Sequence, residues 1–500
     1  MKLTRHIPLQ LMLMLAMLTP ATGWFRGTLP QKAEVRINGD LISIRAQQTP
    51  LTEILSEFVH VGVSVRYDPG IETRVTGSVK NMEISKALDE LLAPYGYALI
   101  WDVVKGPVGD IVRLEEIQIF RRDGPRRVEP FMPETNFRIA RGPLGHSPEF
   151  VADELLIAFK PGVNIDAFRL LLAQIGGSVI GSIPELGVYR IRLPPNSNVP
   201  AMVALLEANP VVSRVEPNYA YRIPPHETES TTATAGSGST INLRATEGIP
   251  PVAVLDSGIR SMTALDGLVV SAYDAIIPNR AVDDRAGHGT QMALIASGAI
   301  PPRGAIANES GVPVVAIRAF DDNGYTSSYT MMRAMEHALS QGARVVNMSW
   351  GTDTPSTFLE SAMRYAQSRG MVVVASAGNE PTGKPVYPAA YPGVISVSAL
   401  QADGTPWPRS NFGNTVTIAA PGSANLPVGY EGPPGSYAGT SIASAYVARN
   451  IALYLGQNPR ASANQARQAL LRNASPAPSG AVRYGEGILD GQAVNRLLGP

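Results

Sequence analysis

Met371-Val372-Val373-Val374 and Val252-Ala253-Val254-Leu255 are apolar at every position, so a strand made from either has no face to leave in water. Such strands need cover on both sides, which a parallel sheet with helices packed against each face provides. The neighbouring sequence alternates as that architecture demands. Strands are expected over residues 314–320, 343–349 and 371–375, with helices over 328–339 and 358–368. The fold class read from this pattern is α/β, and in open sheets of that class chemistry gathers at the carboxyl ends of the strands.

Asp256 ends one of these strands and is followed by Ser257-Gly258. Ser441 lies in Tyr437-Ala438-Gly439-Thr440-Ser441-Ile442-Ala443, just ahead of an apolar helical run from Tyr446 to Leu455. A serine hydroxyl is a poor nucleophile until a base takes its proton. Among six histidines, His6 lies in the leader, His60 and His146 lie far upstream, His226 sits in a polar stretch and His337 is in the middle of a helix. His288, between Gly287 and Gly289, remains as the candidate base. Asn379, after Ser376-Ala377-Gly378, offers an amide for an oxyanion. Singly, each residue has a plainer reading: Asp256 as a helix N-cap, Ser441 as tight helix packing, Asn379 as a turn residue. The pair Asp283-Asp284 reads as solvent-facing or cleft-lining, and Glu380 as a pocket or surface residue.

The order Asp256, His288, Ser441, within Val-Leu-Asp-Ser-Gly, Gly-His-Gly-Thr and Gly-Thr-Ser-Ile-Ala, and with Ser-Ala-Gly-Asn between the last two, resembles the subtilisin-like serine proteases. The resemblance extends over residues 250–495 and takes in Asn347-Met348-Ser349-Trp350-Gly351, Ser410-Asn411-Phe412-Gly413, Ala420-Pro421-Gly422 and Gly485-Glu486-Gly487. It implies a subtilisin-like three-layer parallel-sheet domain in which Asp256, His288 and Ser441 form a triad and Asn379 receives the oxyanion. It also implies that Ser349, Trp350 and Gly351, with Ala375, Ser376, Ala377 and Gly378, hold peptide or protein substrates in extended form. No cofactor is required for that chemistry, and a structural calcium is left open. Two positions depart from the family pattern: Gln291 stands where a histidine is usual, and Ala445 where a proline is. A lipase-type enzyme is disfavoured by the Asp, His, Ser order. The alternative is a catalytically idle subtilase-like binding or scaffold protein of the cell envelope.

The 500 residues exceed one core. Residues 1–23 carry Lys2 and Arg5, a short apolar run and small residues at a cleavage point, which is a signal-peptide pattern. Residues 33–120 read as a small α+β module that resembles the short N-terminal domains of secretins and TonB-dependent receptors. That resemblance implies a Gram-negative envelope and an envelope protein partner. Residues 121–148 read as a linker. Residues 150–222 read as a second α+β unit, and both small units are expected to be βαββαβ-like. The end of the second, Val215-Glu216-Pro217-Asn218-Tyr219-Ala220-Tyr221, resembles a subtilase prosegment, which implies an intramolecular inhibitor. Residues 223–245 read as a flexible linker, with cleavage expected between Tyr221 and Arg244, and residues 246–500 as the catalytic domain. The 42 basic and 42 acidic residues cancel and point to no nucleic acid. The absence of cysteine excludes a thiol nucleophile and any disulfide. The chain is expected to be exported: periplasmic, outer-membrane-associated or secreted.

Overall fold

The computed structural model describes residues 34–38, 40–106, 108–123, 128–131, 137–142, 148–223, 240–306, 308–478 and 482–499. The expected leader, most of the 223–245 linker and parts of the 121–148 linker lie outside them. Among the described residues no helix is long and apolar enough to cross a membrane.

A seven-stranded parallel sheet organises the C-terminal half. Its order is Val269–Asp274, Val314–Arg318, Val252–Asp256, Val345–Met348, Val372–Ser376, Ile395–Leu400 and Ile418–Pro421. Val252–Asp256 and Val372–Ser376 are buried at every residue, as their two apolar faces require. Helices His288–Ser297 and Thr440–Gln457 pack on each other and on the sheet, and helices Ser328–Ser340 and Thr357–Ser368 form a second packed pair. The Ser328–Ser340 and Thr357–Ser368 helices start where Ser327 and Ser356 accept hydrogen bonds from Thr330 N and Leu359 N. The Thr440–Gln457 helix is buried on nearly all sides, so its sequence shows no polar stripe. From Val252–Asp256 the chain builds one side of the sheet first and then crosses to the other. A crevice therefore opens at the carboxyl end of this strand.

The preceding unit is an antiparallel sheet in the order Ser178–Ile183, Val188–Arg192, Glu149–Phe159, Val212–Arg222, with helices Ile165–Ile175 and Val199–Glu207. This is the expected split βαββαβ arrangement. Ile139–Arg141, within the stretch read as linker, pairs with Glu149–Phe159. At the core of this unit Glu154 accepts hydrogen bonds from Arg190, Arg192 and Asn218. Burial alone would raise its carboxyl, but the two arginine charges overcome that and hold it at about 2.

Contacts at helix starts tie this unit to the C-terminal half. Asn218 Oδ1 accepts from Tyr329 N at 3.1 Å, and the Glu216 carboxylate accepts from Ser356 Oγ, from Thr357 N at 2.9 Å and from Thr357 Oγ1 at 3.1 Å. A carboxylate satisfies the orphan donors of a helix N-terminus and suits its dipole. The N-terminal unit contains the same βαββαβ order from Leu41 to Val104, with Glu34–Asn38 added before it and Ile111–Arg121 and Glu129–Pro130 after it, and its strands divide between two sheets. Glu34–Asn38, Leu41–Pro50 and Arg74–Glu83 form one, and Tyr95–Val104, Ile111–Arg121, Ser64–Tyr67 and Glu129–Pro130 the other. They close on a core that includes Leu55, Phe58, Leu88 and Ile117.

Candidate active site

Asp256 is the last residue of the strand Val252–Asp256, and its carboxylate stands 2.8 Å from His288 Nδ1. Asp256 is 1% exposed and His288 4%. Asp256 Oδ1 also accepts from Ser257 N at 2.8 Å, which fixes the carboxylate against its own backbone. A neutral imidazole that donates through Nδ1 presents Nε2 as an acceptor, the form a general base needs.

His288 opens the helix His288–Ser297, whose N-cap, Gly287, has no side chain to offer. Asp284 supplies the missing acceptor. Its Oδ1 accepts from Gly287 N and Ser257 Oγ, both at 2.7 Å, and its Oδ2 from Thr290 N at 2.8 Å and Thr290 Oγ1 at 2.6 Å. Ser257 Oγ in turn accepts from Gly289 N at 2.9 Å. Asp284 therefore clamps the end of the Asp256 strand to the start of the His288 helix. It is 1% exposed, which corrects the solvent-facing or cleft-lining reading for this residue; Asp283 remains exposed. Gly289 permits the close approach, since a Cβ there would lie 2.3 Å from Gly258 O.

Ser441 is the second residue of the Thr440–Gln457 helix, 6% exposed, with its hydroxyl donating to Ser349 O at 3.2 Å. Ser349 follows the strand Val345–Met348, the neighbour of the Asp256 strand. Asn379 stands just past the next strand, Val372–Ser376. Its Oδ1 accepts from Thr440 N at 3.1 Å and Thr440 Oγ1 at 2.8 Å, which commits the carbonyl side of the amide to the Ser441 helix and leaves Nδ2 as its donor end. Asp256 with its partner His288, Ser349 with the Ser441 hydroxyl bonded to it, and Asn379 thus stand at the carboxyl ends of three adjacent strands, with the Ser441 hydroxyl turned to Ser349 O.

Of the residues expected to hold substrate, Ser349 and Trp350 are fully buried, as is Ala375, and Ser376 and Ala377 are nearly so. The carbonyls of Ala377 and Gly378 accept from Asn411 Nδ2 at 3.1 Å and Asn411 N at 2.9 Å. Glu380 is exposed. An edge that the sequence did not disclose carries the observed strand pairing: Ala220, Tyr221 and Arg222 lie antiparallel to Ser327, Thr326 and Tyr325. Tyr221 is buried there, its ring stacked on Trp350 and its hydroxyl 2.7 Å from Ser328 Oγ. Tyr430 is also new, packed beside His288 at 4.8 Å between ring centroids. No pattern in the sequence marks it, because the contact depends on a loop folding back. Asp284 did have a signal, an acidic residue just ahead of a helix start.

A sequence profile described as the subtilase family matches residues 250–497, and one described as the fervidolysin N-terminal prodomain matches residues 144–218. The chain is 32% identical over 318 residues to the thermophilic serine proteinase of Bacillus sp. (strain AK1), covering 62% of this chain and 79% of that protein. It is 31% identical over 235 residues to thermitase of Thermoactinomyces vulgaris, covering 47% and 83%. Among solved structures, fervidolysin from Fervidobacterium pennivorans, described as a keratinolytic enzyme related to subtilisin, superposes with a TM-score of 0.56 at 24% identity, over 70% of this chain and 61% of that one. The fold, the prodomain match and the relatives agree: the chain belongs to the subtilase family of serine proteases.

Proposed function

We propose that the protein is an exported serine endopeptidase, made as a zymogen that processes itself, in which Asp256, His288 and Ser441 form the triad. The observation that carries this reading is the buried 2.8 Å bond between Asp256 and His288 Nδ1, at the end of a strand whose neighbour leads into Ser349, the acceptor of the Ser441 hydroxyl. Ser441 Oγ attacks the peptide carbonyl while His288 Nε2 takes its proton; Asp256 holds the ring and stabilises its charged form. Asn379 Nδ2 and the backbone N–H of Ser441 receive the oxyanion. The acyl-enzyme is then hydrolysed by water, with His288 as base again.

Substrate runs as an added strand between the Tyr325–Ser327 edge and the Ser349–Gly351 segment, with Ala375–Gly378 lining the cleft. Supporting this, the prodomain's last strand already pairs with Tyr325–Ser327 and its Tyr221 rests on Trp350. The same docking supports the prodomain as an intramolecular inhibitor, with the processing bond between Tyr221 and Arg244. Residues 1–23 act as the export signal, and the 33–120 module as a contact for an envelope protein.

Intact-mass analysis of wild type and Ser441→Ala, with fluorophosphonate labelling, tests the reading. Wild type should be cut between Tyr221 and Arg244 and take the label. Ser441→Ala should stay whole and unlabelled, and cleavage of Ser441→Ala at the same bond would show that the cut is not autocatalytic.

A further inference from the structure

A single bond from Nδ1 to Asp256 leaves an imidazole free to swing about that bond. A ring packed against its face removes the freedom, and general-base catalysis depends on holding the ring in one place. Tyr430 supplies such a wall: its ring is tilted 52° to that of His288 at 4.8 Å, and the residue is 3% exposed. Burial first, and the Asp256 charge next, push its phenol well above the ordinary tyrosine value, so it stays neutral and does not compete for protons.

Tyr430 is anchored on both sides of itself, to the His288 helix and to the segment just ahead of it. Gln291 Nε2 donates to Val428 O at 2.7 Å, and Glu431 N donates to Ala286 O at 2.9 Å. Tyr437 closes the loop, its hydroxyl accepting from Tyr430 N at 3.2 Å and donating to Pro433 O at 2.6 Å. Gln291 lies three residues after His288, hence on the same helix face one turn further along. A residue that departs from the family pattern therefore holds the loop that walls His288. The approach is close enough that a Cβ on Gly287 would lie 2.1 Å from Gly429 O.

We propose that Tyr430 is a positioning residue for His288, and that Gln291 fixes it there through the carbonyl of Val428. The proposal rests on the triad reading above. Its test is steady-state cleavage of a peptide anilide by the processed forms of wild type, Tyr430→Ala, Tyr430→Phe, Gln291→Ala and the double alanine variant. Tyr430→Ala should lose ~10–100-fold in kcat with KM little changed, the scale on which small misplacements of reacting groups act. Tyr430→Phe should recover most of that loss, since the ring and not the hydroxyl makes the wall. Gln291→Ala should lose less, and adding it to Tyr430→Ala should cost nothing further, because both act through one contact. Full turnover in Tyr430→Ala, a loss confined to KM, or additive losses in the double variant would overturn the proposal. Where Tyr430→Ala does not accumulate, unchanged kcat in Gln291→Ala overturns it equally. Activity persisting in Ser441→Ala counts against the triad itself, whereas an inactive Ser441→Ala beside a fully active Tyr430→Ala counts against this inference alone.

Discussion

Tyr221, near the end of the strand Val212–Arg222, and Trp350, just past the strand Val345–Met348, stack with ring centroids 5.2 Å apart and 25° between planes, and both are buried. An aromatic side chain sealed between two packed units contributes by area and by ring contact together. In a Ser441→Ala background, where the prodomain should stay attached, Tyr221→Ala is expected to weaken its docking by about 2–4 kcal/mol. The measurement is thermal unfolding with limited proteolysis, and an unchanged melting curve with an unchanged digestion pattern would remove Tyr221 as an anchor.

Asn379→Ala tests the oxyanion assignment. The amide acts on charge that develops only in the transition state, so kcat should fall ~10²–10³-fold while KM stays close to wild type, the scale known for removing one such donor in subtilisin. A folded variant with normal kcat would take Asn379 out of the mechanism.

Asp284→Ala should be costly far beyond one lost contact. Four donors, Ser257 Oγ, Gly287 N, Thr290 N and Thr290 Oγ1, would lose their acceptor in a buried place. Stranded buried donors cost about 1–3 kcal/mol each when nothing replaces the partner. A lowered denaturation midpoint together with lost turnover is expected, because the same carboxylate sets the spacing of Asp256 and His288. A variant that melts like wild type would show that water fills the gap.

The Glu154 carboxyl gives the prodomain a specific acid response. Its pKa is about 2 in the folded unit, below the usual carboxylate value. The stabilisation is therefore fully present above the unfolded pKa near 4.3 and is lost as pH falls toward 2, by roughly 3 kcal/mol in all. Glu154→Gln should remove the pH dependence across that window and lower stability at neutral pH. Acid titration of prodomain unfolding in the Ser441→Ala chain reads both, and an unaltered profile would show that another group governs it.

The sequence disclosed what depends on local pattern and order. Val252–Leu255 and Met371–Val374 announced a covered parallel sheet because a run apolar at every position has no face to leave in water. Asp256, His288, Ser441 and Asn379 were legible because each sits at a strand end or helix start marked by glycine. What stayed hidden depends on approaches between distant segments. The pairing of Tyr221 with Thr326 joins two edges with no periodic signal, and Tyr430 meets His288 only after its loop returns; Asp284 showed its place ahead of a helix start but not the Ser257 hydroxyl it also accepts from. The division of the N-terminal strands between two sheets was hidden for the same reason, since alternation gives a strand its faces but not its partner.

The helix that carries Ser441 is enclosed from Thr440 to Leu453, with strands and helices on its flanks. An element so placed has no private route to opening. Beyond its first turn, where the Ser441 N–H faces the cleft, its amide hydrogens can exchange with solvent only when the surrounding sheet and helices come apart, unlike those of frayed or surface segments. Heating should therefore leave Ser441 in register until the last cooperative step, so that loss of activity and loss of deuterium protection along 444–453 occur as one event.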